Sequence, residues 1–218
     1  MNPRFSNQEI HALTLMEVLV VIVILALIVA ILLPVLATAR RKSSRIECVD
    51  NLKKIGLSYR VWEGDHGGKF PMFVSVTNGG AMELVATGNI QACFDTMSNE
   101  LSTPKILHCP QDLAHIEAGS FSGLAGSNIS YFIGMDVTNA AAPQAILCGD
   151  DNFTVNGILI KSGLQELSAN DPISWTATRH KHAGNIAIAN GSVQQLTQTG
   201  LRDAFRRTGL ATNHLAIP

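Results

Sequence analysis

Residues 13–37 read LTLMEVLVVIVILALIVAILLPVLA, and this stretch decides the fold. From Val18 to Ala37 there are 20 residues with no charge and no hydrogen-bonding side chain. A helix rising about 1.5 Å per residue would cover roughly 30 Å with them, the hydrocarbon thickness of a bilayer. The segment therefore predicts one membrane-spanning helix and excludes a purely cytosolic protein. Glu17 stands at the lip of the run. A carboxylate costs about 2.5–3.5 kcal/mol at mid-membrane and less near the interface, so it marks a functional position. Pro34, deep in the run, predicts a kink, because proline lacks the N–H that a helix interior uses. Ala37-Thr38-Ala39 leaves a secretory signal peptide as an alternative, although its apolar region would normally be only about 7–15 residues. A plain signal anchor is the other.

Charge outside the run points away from nucleic acid. The 218 residues carry 16 Lys+Arg against 17 Asp+Glu, a formal net charge of −1. From Leu13 to Glu63 there are seven basic and four acidic residues; from Gly64 to Pro218 there are eight and twelve. A basic stem and a mildly acidic head favour neither DNA nor an anionic membrane surface as the partner of the head. Arg40, Arg41, Lys42 and Arg45 follow the apolar run against Arg4 alone before it. Taken alone, the positive-inside rule would put the C-terminal side in the cytoplasm.

Beyond the run the helical pattern continues. Ile46, Val49, Leu52, Ile55, Tyr59 and Trp62 recur at spacings of three or four, an apolar stripe suited to packing on a sheet. Gly64-Asp65-His66-Gly67-Gly68 should end the helix at Glu63. In the head, Ala81–Ala86 suits a short helix and Leu201–Arg207 a closing one. Ile106-Leu107, Ile129–Ile133, Ala145–Cys148 and Ile158–Ile160 suit strands. Asn185–Ala189 and Ser192–Leu196, joined by Asn190-Gly191, predict a hairpin with a type I′ turn. A long helix on a small antiparallel sheet is an α+β design. Four cysteines, Cys48, Cys93, Cys109 and Cys148, form no C-x-x-C pair; if the head is exported, three full disulfide pairings are open.

The N-terminus resembles the type IV prepilin family, whose shared start reads G-F-T-L-x-E before about 20 apolar residues. Ala12-Leu13-Thr14-Leu15-Met16-Glu17 is the matching stretch, with Ala12 in place of Gly and Leu13 in place of Phe. Pro34 falls where the family also tends to place a proline. Cys48-Val-Asp-Asn-Leu-Lys-Lys-Ile-Gly-Leu, a later Gly-Lys-Phe-Pro71 and Leu107-His-Cys-Pro110 are similar to segments of type II secretion pseudopilin-like proteins. His180, nine residues, then Asn190-Gly191 resembles their C-terminal H-x9-D-G motif, with Asn for Asp.

The resemblance implies a pilin-like fold in four parts: a leader at 1–12, a transmembrane half-helix at 13–38, an amphipathic half-helix at 39–63 and a head at 64–218. It implies cleavage between Ala12 and Leu13 by a prepilin peptidase and methylation of the new amine at Leu13. It gives Glu17 the task of pairing with the N-terminal amine of a like subunit as helices pack into a filament. The implied site is the inner membrane, crossed once, with an assembly platform as partner and the head in the periplasm or at the cell surface. The two cysteines in resembling segments, Cys48 and Cys109, are the favoured pair.

No P-loop, dinucleotide fingerprint or strand–nucleophile–helix elbow is present, so assembly rather than catalysis is expected and no cofactor is required. A metal set from Asp150, Asp151, His180 and His182 is a weak alternative. Pseudopilins of the resembled family bind calcium in a C-terminal loop, which implies structural calcium near Asp150-Asp151-Asn152. For His180 the competing reading is a hydrogen bond that pins the hairpin. The alternative function is a single-pass, membrane-anchored binding module that never polymerises.

Overall fold

The computed structural model describes residues 14–140, 142 and 144–218. The chain forms two compact units, Met1–Lys42 and Ser43–Pro218. Helix α1 runs Leu15–Asp65, unbroken through Pro34. It is the one helix among the described residues long and apolar enough to cross a membrane. In the first unit its large apolar side chains, from Leu15 at 84% to Val18 at 44%, are exposed on every side. A helix apolar all round belongs in a core or in lipid. Pro34 offers no N–H to the Ala30 carbonyl; one turn on, Thr38 Oγ1 donates to the Pro34 carbonyl at 2.9 Å.

In the second unit α1 buries Cys48, Leu52, Ile55, Tyr59 and Trp62. Ile46, expected on this stripe, is exposed. It lies six residues before Leu52, about 120° around the helix from it. The helix extends two residues past the expected stop. Gly67 and Gly68 then take left-handed backbone, and the Gly68 N–H donates to the Glu63 carbonyl at 3.0 Å.

Residues 72–105 hold three short helices, α2 (Met82–Val85), α3 (Gln91–Thr96) and α4 (Ser98–Leu101). Their buried side chains, Val85, Cys93, Phe94 and Leu101 among them, join the α1 stripe in one apolar cluster. Ile106-Leu107, expected as a strand, lies in the 3₁₀ turn Pro104–Leu107. Pro104 pre-sets the turn, and Thr103 Oγ1 accepts the Lys105 N–H at 3.4 Å.

The strands are β1 (Tyr131–Gly134), β2 (Ile146–Asp150), β3 (Phe153–Val155), β4 (Ile158–Leu159), β5 (Gly163–Ser168), β6 (Ile173–Trp175), β7 (Gly184–Ile188), β8 (Val193–Leu196) and β9 (Thr212–Ile217). The main sheet has the order β5-β9-β1-β2-β7-β8 and a second has β4-β3-β6; every pairing is antiparallel. Alternation along β1 sends Tyr131 and Ile133 to the α1 cluster and Phe132 to a second cluster. That second cluster holds Phe153, Trp175 and Phe205, the last from helix α5 (Gln198–Arg207). The main sheet is thus covered on both faces, by α1 and the short helices on one and by the small sheet and α5 on the other. This is an α+β arrangement consistent with a pilin-like fold.

The β7–β8 hairpin forms, but its turn is not type I′. That turn needs positive φ at both central residues, and of Asn190 and Gly191 only Gly191 has it, at 84°. The Ala189 N–H donates to the Ala145 carbonyl at 2.9 Å, so Ala189 serves β2 and the loop widens to Ala189-Asn190-Gly191. The Gly191 N–H closes onto the Ile188 carbonyl at 2.8 Å, the three-residue loop with glycine in the left-handed position.

Candidate functional site

Two places concentrate the candidate residues. The first is the start of α1. Thr14 N–H and Oγ1 donate to Glu17 Oε2 at 2.8 and 2.9 Å, and the Glu17 N–H donates back to Thr14 Oγ1 at 3.3 Å. This is a reciprocal capping box, threonine at the cap and glutamate three residues on. Reading Glu17 only as a carboxylate at the lip of the apolar run misses it, although Thr14-Leu15-Met16-Glu17 spells T-x-x-E. In the single subunit Glu17 therefore closes its own helix. Ala12 and Leu13, the expected cleavage and methylation positions, lie outside the described residues, as does the leader.

The second place lies in the head, where residues distant in sequence converge under the sheet. Cys48 on α1 and Cys109 after the Pro104 turn are joined by a disulfide. His180 Nε2 lies 3.5 Å from Cys109 Sγ and 3.4 Å from Asp150 Oδ2. Asn185 donates twice to Asp150 Oδ2, from its backbone N–H at 2.7 Å and from Nδ2 at 2.9 Å. Three successive residues, His180, Lys181 and His182, hold left-handed backbone with φ of 49°, 52° and 60°. Each such residue costs on the order of 1–3 kcal/mol, and the turn carries His180 inward. Cys93 and Cys148 are free, buried thiols. Burial pushes the Cys93 thiol up to about 12 and raises Cys148 as well, so neither is a reactive thiolate.

Beside this lies an ion cluster that single-sequence reading did not find. Arg179 Nη2 contacts Asp112 Oδ2 at 2.9 Å and makes a shorter contact with Asp151 Oδ1. Its Nη1 donates to the Ser130 carbonyl at 3.0 Å. His115 Nδ1 meets Asp112 Oδ2 at 2.7 Å, and Ser130 Oγ donates to the same oxygen at 2.6 Å. Burial would raise Asp112, but the bond from His115, the Arg179 guanidinium and the bond from Ser130 outweigh it and hold the carboxyl well below its usual range. The Asp112 bond raises His115 against the opposing effect of burial. Burial raises Asp151 in spite of Arg179. Asp112, His115 and Asp151 present donor atoms at metal-ligand spacing. The guanidinium already bridges the two carboxylates, so a cation is in place. These side chains line one wall of an open cleft of about 590 Å³, with Leu159 and Ile160 opposite in character.

The weak metal set is divided by this geometry. Asp150 and His180 are neighbours, Asp151 belongs to Arg179, and His182 is exposed with Nδ1 3.4 Å from the Trp175 carbonyl. The two halves of the H-x9-N-G motif also do different work. His180 sits at the disulfide. Asn190-Gly191 meets α1, where the Arg60 guanidinium donates to the Asn190 carbonyl at 3.5 Å and a Cβ on Gly56 would stand 3.5 Å from Gly191 Cα. The backbones approach closely because both positions lack side chains.

Asp150 and His180 give the head a defined pH response. Burial raises Asp150 to about 7. The folded chain therefore keeps a proton that the unfolded chain releases above about pH 4, and stability falls as pH rises across that range. Burial, with Arg45 and Arg179, lowers His180 to about 4. The folded chain then holds fewer protons than the unfolded one up to about pH 6.5, and stability rises. The two slopes oppose each other. Asp150→Asn removes the falling slope and keeps an acceptor for Asn185. Urea unfolding of this variant should show stability rising with pH relative to the parent, by up to about 4 kcal/mol between pH 4 and 7 at about 1.4 kcal/mol per pH unit. Parallel profiles would show that Asp150 ionises normally.

The fold and this geometry define an α+β chain with one long apolar N-terminal helix, as in pilins. No family model, curated protein or solved structure matches the chain.

Proposed function

We propose that the chain is a structural subunit of a type IV pilus-like filament or type II secretion pseudopilus. It is made as a prepilin, cut after Ala12 by a prepilin peptidase and methylated at Leu13. It is then held across the inner membrane with its head in the periplasm, and packed by an assembly platform through the N-terminal helices of like subunits. It works by assembly, not catalysis. One observation carries this reading: α1 exposes apolar side chains all round from Leu15 to Leu36, with Glu17 at the start as its first acidic residue. Such a surface is satisfied by lipid, then by other helices. The Cys48–Cys109 disulfide agrees with a head that resides in an oxidising compartment.

The cleft beside Arg179 favours the second reading, a membrane-anchored binding module. Intact-mass measurement of the mature chain tests the first. A chain that starts at Leu13 and is one methyl heavier is expected. A chain that starts at Arg40 would mean signal-peptide removal and a secreted protein, and an uncut chain would leave the anchored module.

A further inference from the structure

We propose that Cys48, Cys109, His180 and Asp150 form a closed, four-ligand site for a zinc ion whenever the two cysteines are thiols rather than a disulfide. The inference is independent of filament assembly and concerns the head alone.

The ligand set is of the right kind. Zinc takes thiolate, imidazole and carboxylate in a tetrahedron, and structural sites fill all four positions from the protein. Bonds of about 2.3 Å to sulfur and about 2.0–2.1 Å to nitrogen and oxygen require ligand–ligand edges of roughly 3.5 Å for S···N and roughly 3.3 Å for N···O. The observed edges are 3.5 Å from Cys109 Sγ to His180 Nε2 and 3.4 Å from His180 Nε2 to Asp150 Oδ2. The donor atoms of Cys48, Cys109 and His180 all lie within 4.8 Å of one another, and Asp150 joins this group through His180, its carboxylate closing on the sulfurs as the site fills. Opening the disulfide lets the two sulfurs part to the remaining edge, roughly 3.7 Å, with a small side-chain rotation.

The surroundings fit as well. Cys48, Cys109 and Asp150 are fully buried and His180 is 6% exposed, so there is no open position for water and the site is structural. Asp150 Oδ1 is buried without a hydrogen-bond partner among the described residues, an oxygen that Asn185, bound to Oδ2, does not occupy. Buried polar atoms of this kind are rare and call for an explanation such as an ion. Asn185 already orients Asp150 through two bonds, the outer support that metal carboxylates usually have.

A newly made chain has both cysteines as thiols, so the site exists before oxidation. In the purified disulfide form a phosphine reductant regenerates it: the S–S bond breaks, two S–H bonds form and the phosphine takes the oxygen of one water. Binding then releases the two thiol protons as two Zn–S bonds form, together with any proton that Asp150 carries.

The test uses the full chain in detergent micelles, with Co²⁺ as the spectroscopic probe and Zn²⁺ as competitor. The reduced parent should take up one Co²⁺ with a thiolate-to-cobalt charge-transfer band and the strong visible bands of a tetrahedral site, and Zn²⁺ should displace it. The disulfide form should show neither. His180→Asn should weaken binding by more than the about 10–100-fold that outer-shell changes cost. A measurement on the parent alone guards against misfolded variants: Zn²⁺ should protect Cys48 and Cys109 of the reduced chain from alkylation. Protection of neither, or of Cys93 and Cys148 instead, overturns the assignment. So does a reduced parent whose cobalt spectrum is octahedral or lacks the charge-transfer band.

Discussion

Replacing Glu17 by Ala should reduce the chain in sheared or sedimented filaments to a small fraction of the parent level, while its amount in the membrane is unchanged. The apolar run is untouched and a charge is lost from its edge, so insertion should be unaffected or slightly easier. In the proposed filament the carboxylate pairs with the new N-terminal amine of a neighbour. Removing one partner of a buried pair costs roughly 3–5 kcal/mol, because the other charge is left uncompensated. The capping box adds a competing explanation, since the variant also loses the bonds between Thr14 and Glu17. Losing a cap costs about 0.5–2 kcal/mol. Glu17→Gln separates the two. Glutamine closes the box as glutamate does but carries no charge. If assembly needs the ion pair, the Gln variant fails like the Ala variant; if it needs only the cap, the Gln variant assembles. An Ala variant that assembles like the parent leaves Glu17 as a cap and favours the anchored module.

The second large effect should come from the disulfide. Cys48 and Cys109 are 61 residues apart, so their bond removes much of the freedom of the unfolded chain. The chain-entropy relation gives roughly 4 kcal/mol for a loop of that size. Cys48→Ala with Cys109→Ala, compared with the disulfide form under a chelator, should lower the urea midpoint by that much stability, read from the fluorescence of the buried Trp62 and Trp175. The bond ties α1 to the segment after the Pro104 turn, so the double variant should also loosen the contact between the helix and the head. A loss under about 1 kcal/mol would show that the unfolded chain keeps these segments together without the bond.

What the sequence settled by itself is local. The 20-residue apolar run, the stripe from Leu52 to Trp62, the glycines after Asp65 and the Asn190-Gly191 hairpin are legible because each depends on neighbours within a turn or a pair of strands. The capping box at Thr14 and Glu17 is equally local. The turn type shows where locality stops: Asn190-Gly191 permits two turns, and the bond from Ala189 to Ala145, far along the chain, selects the wider one. Strand β5 was not legible because its two apolar residues, Leu164 and Leu167, are three apart and so fall on opposite faces, the first exposed and the second buried; it forms by pairing six residues with β9, which follows more than forty positions later. The Asp112–His115–Arg179–Asp151 cluster and the Cys48–Cys109–His180–Asp150 cluster likewise draw on segments that meet only when the sheet is assembled. No spacing rule announces them, because the distances that matter there are set by β-pairing and packing rather than by the backbone period.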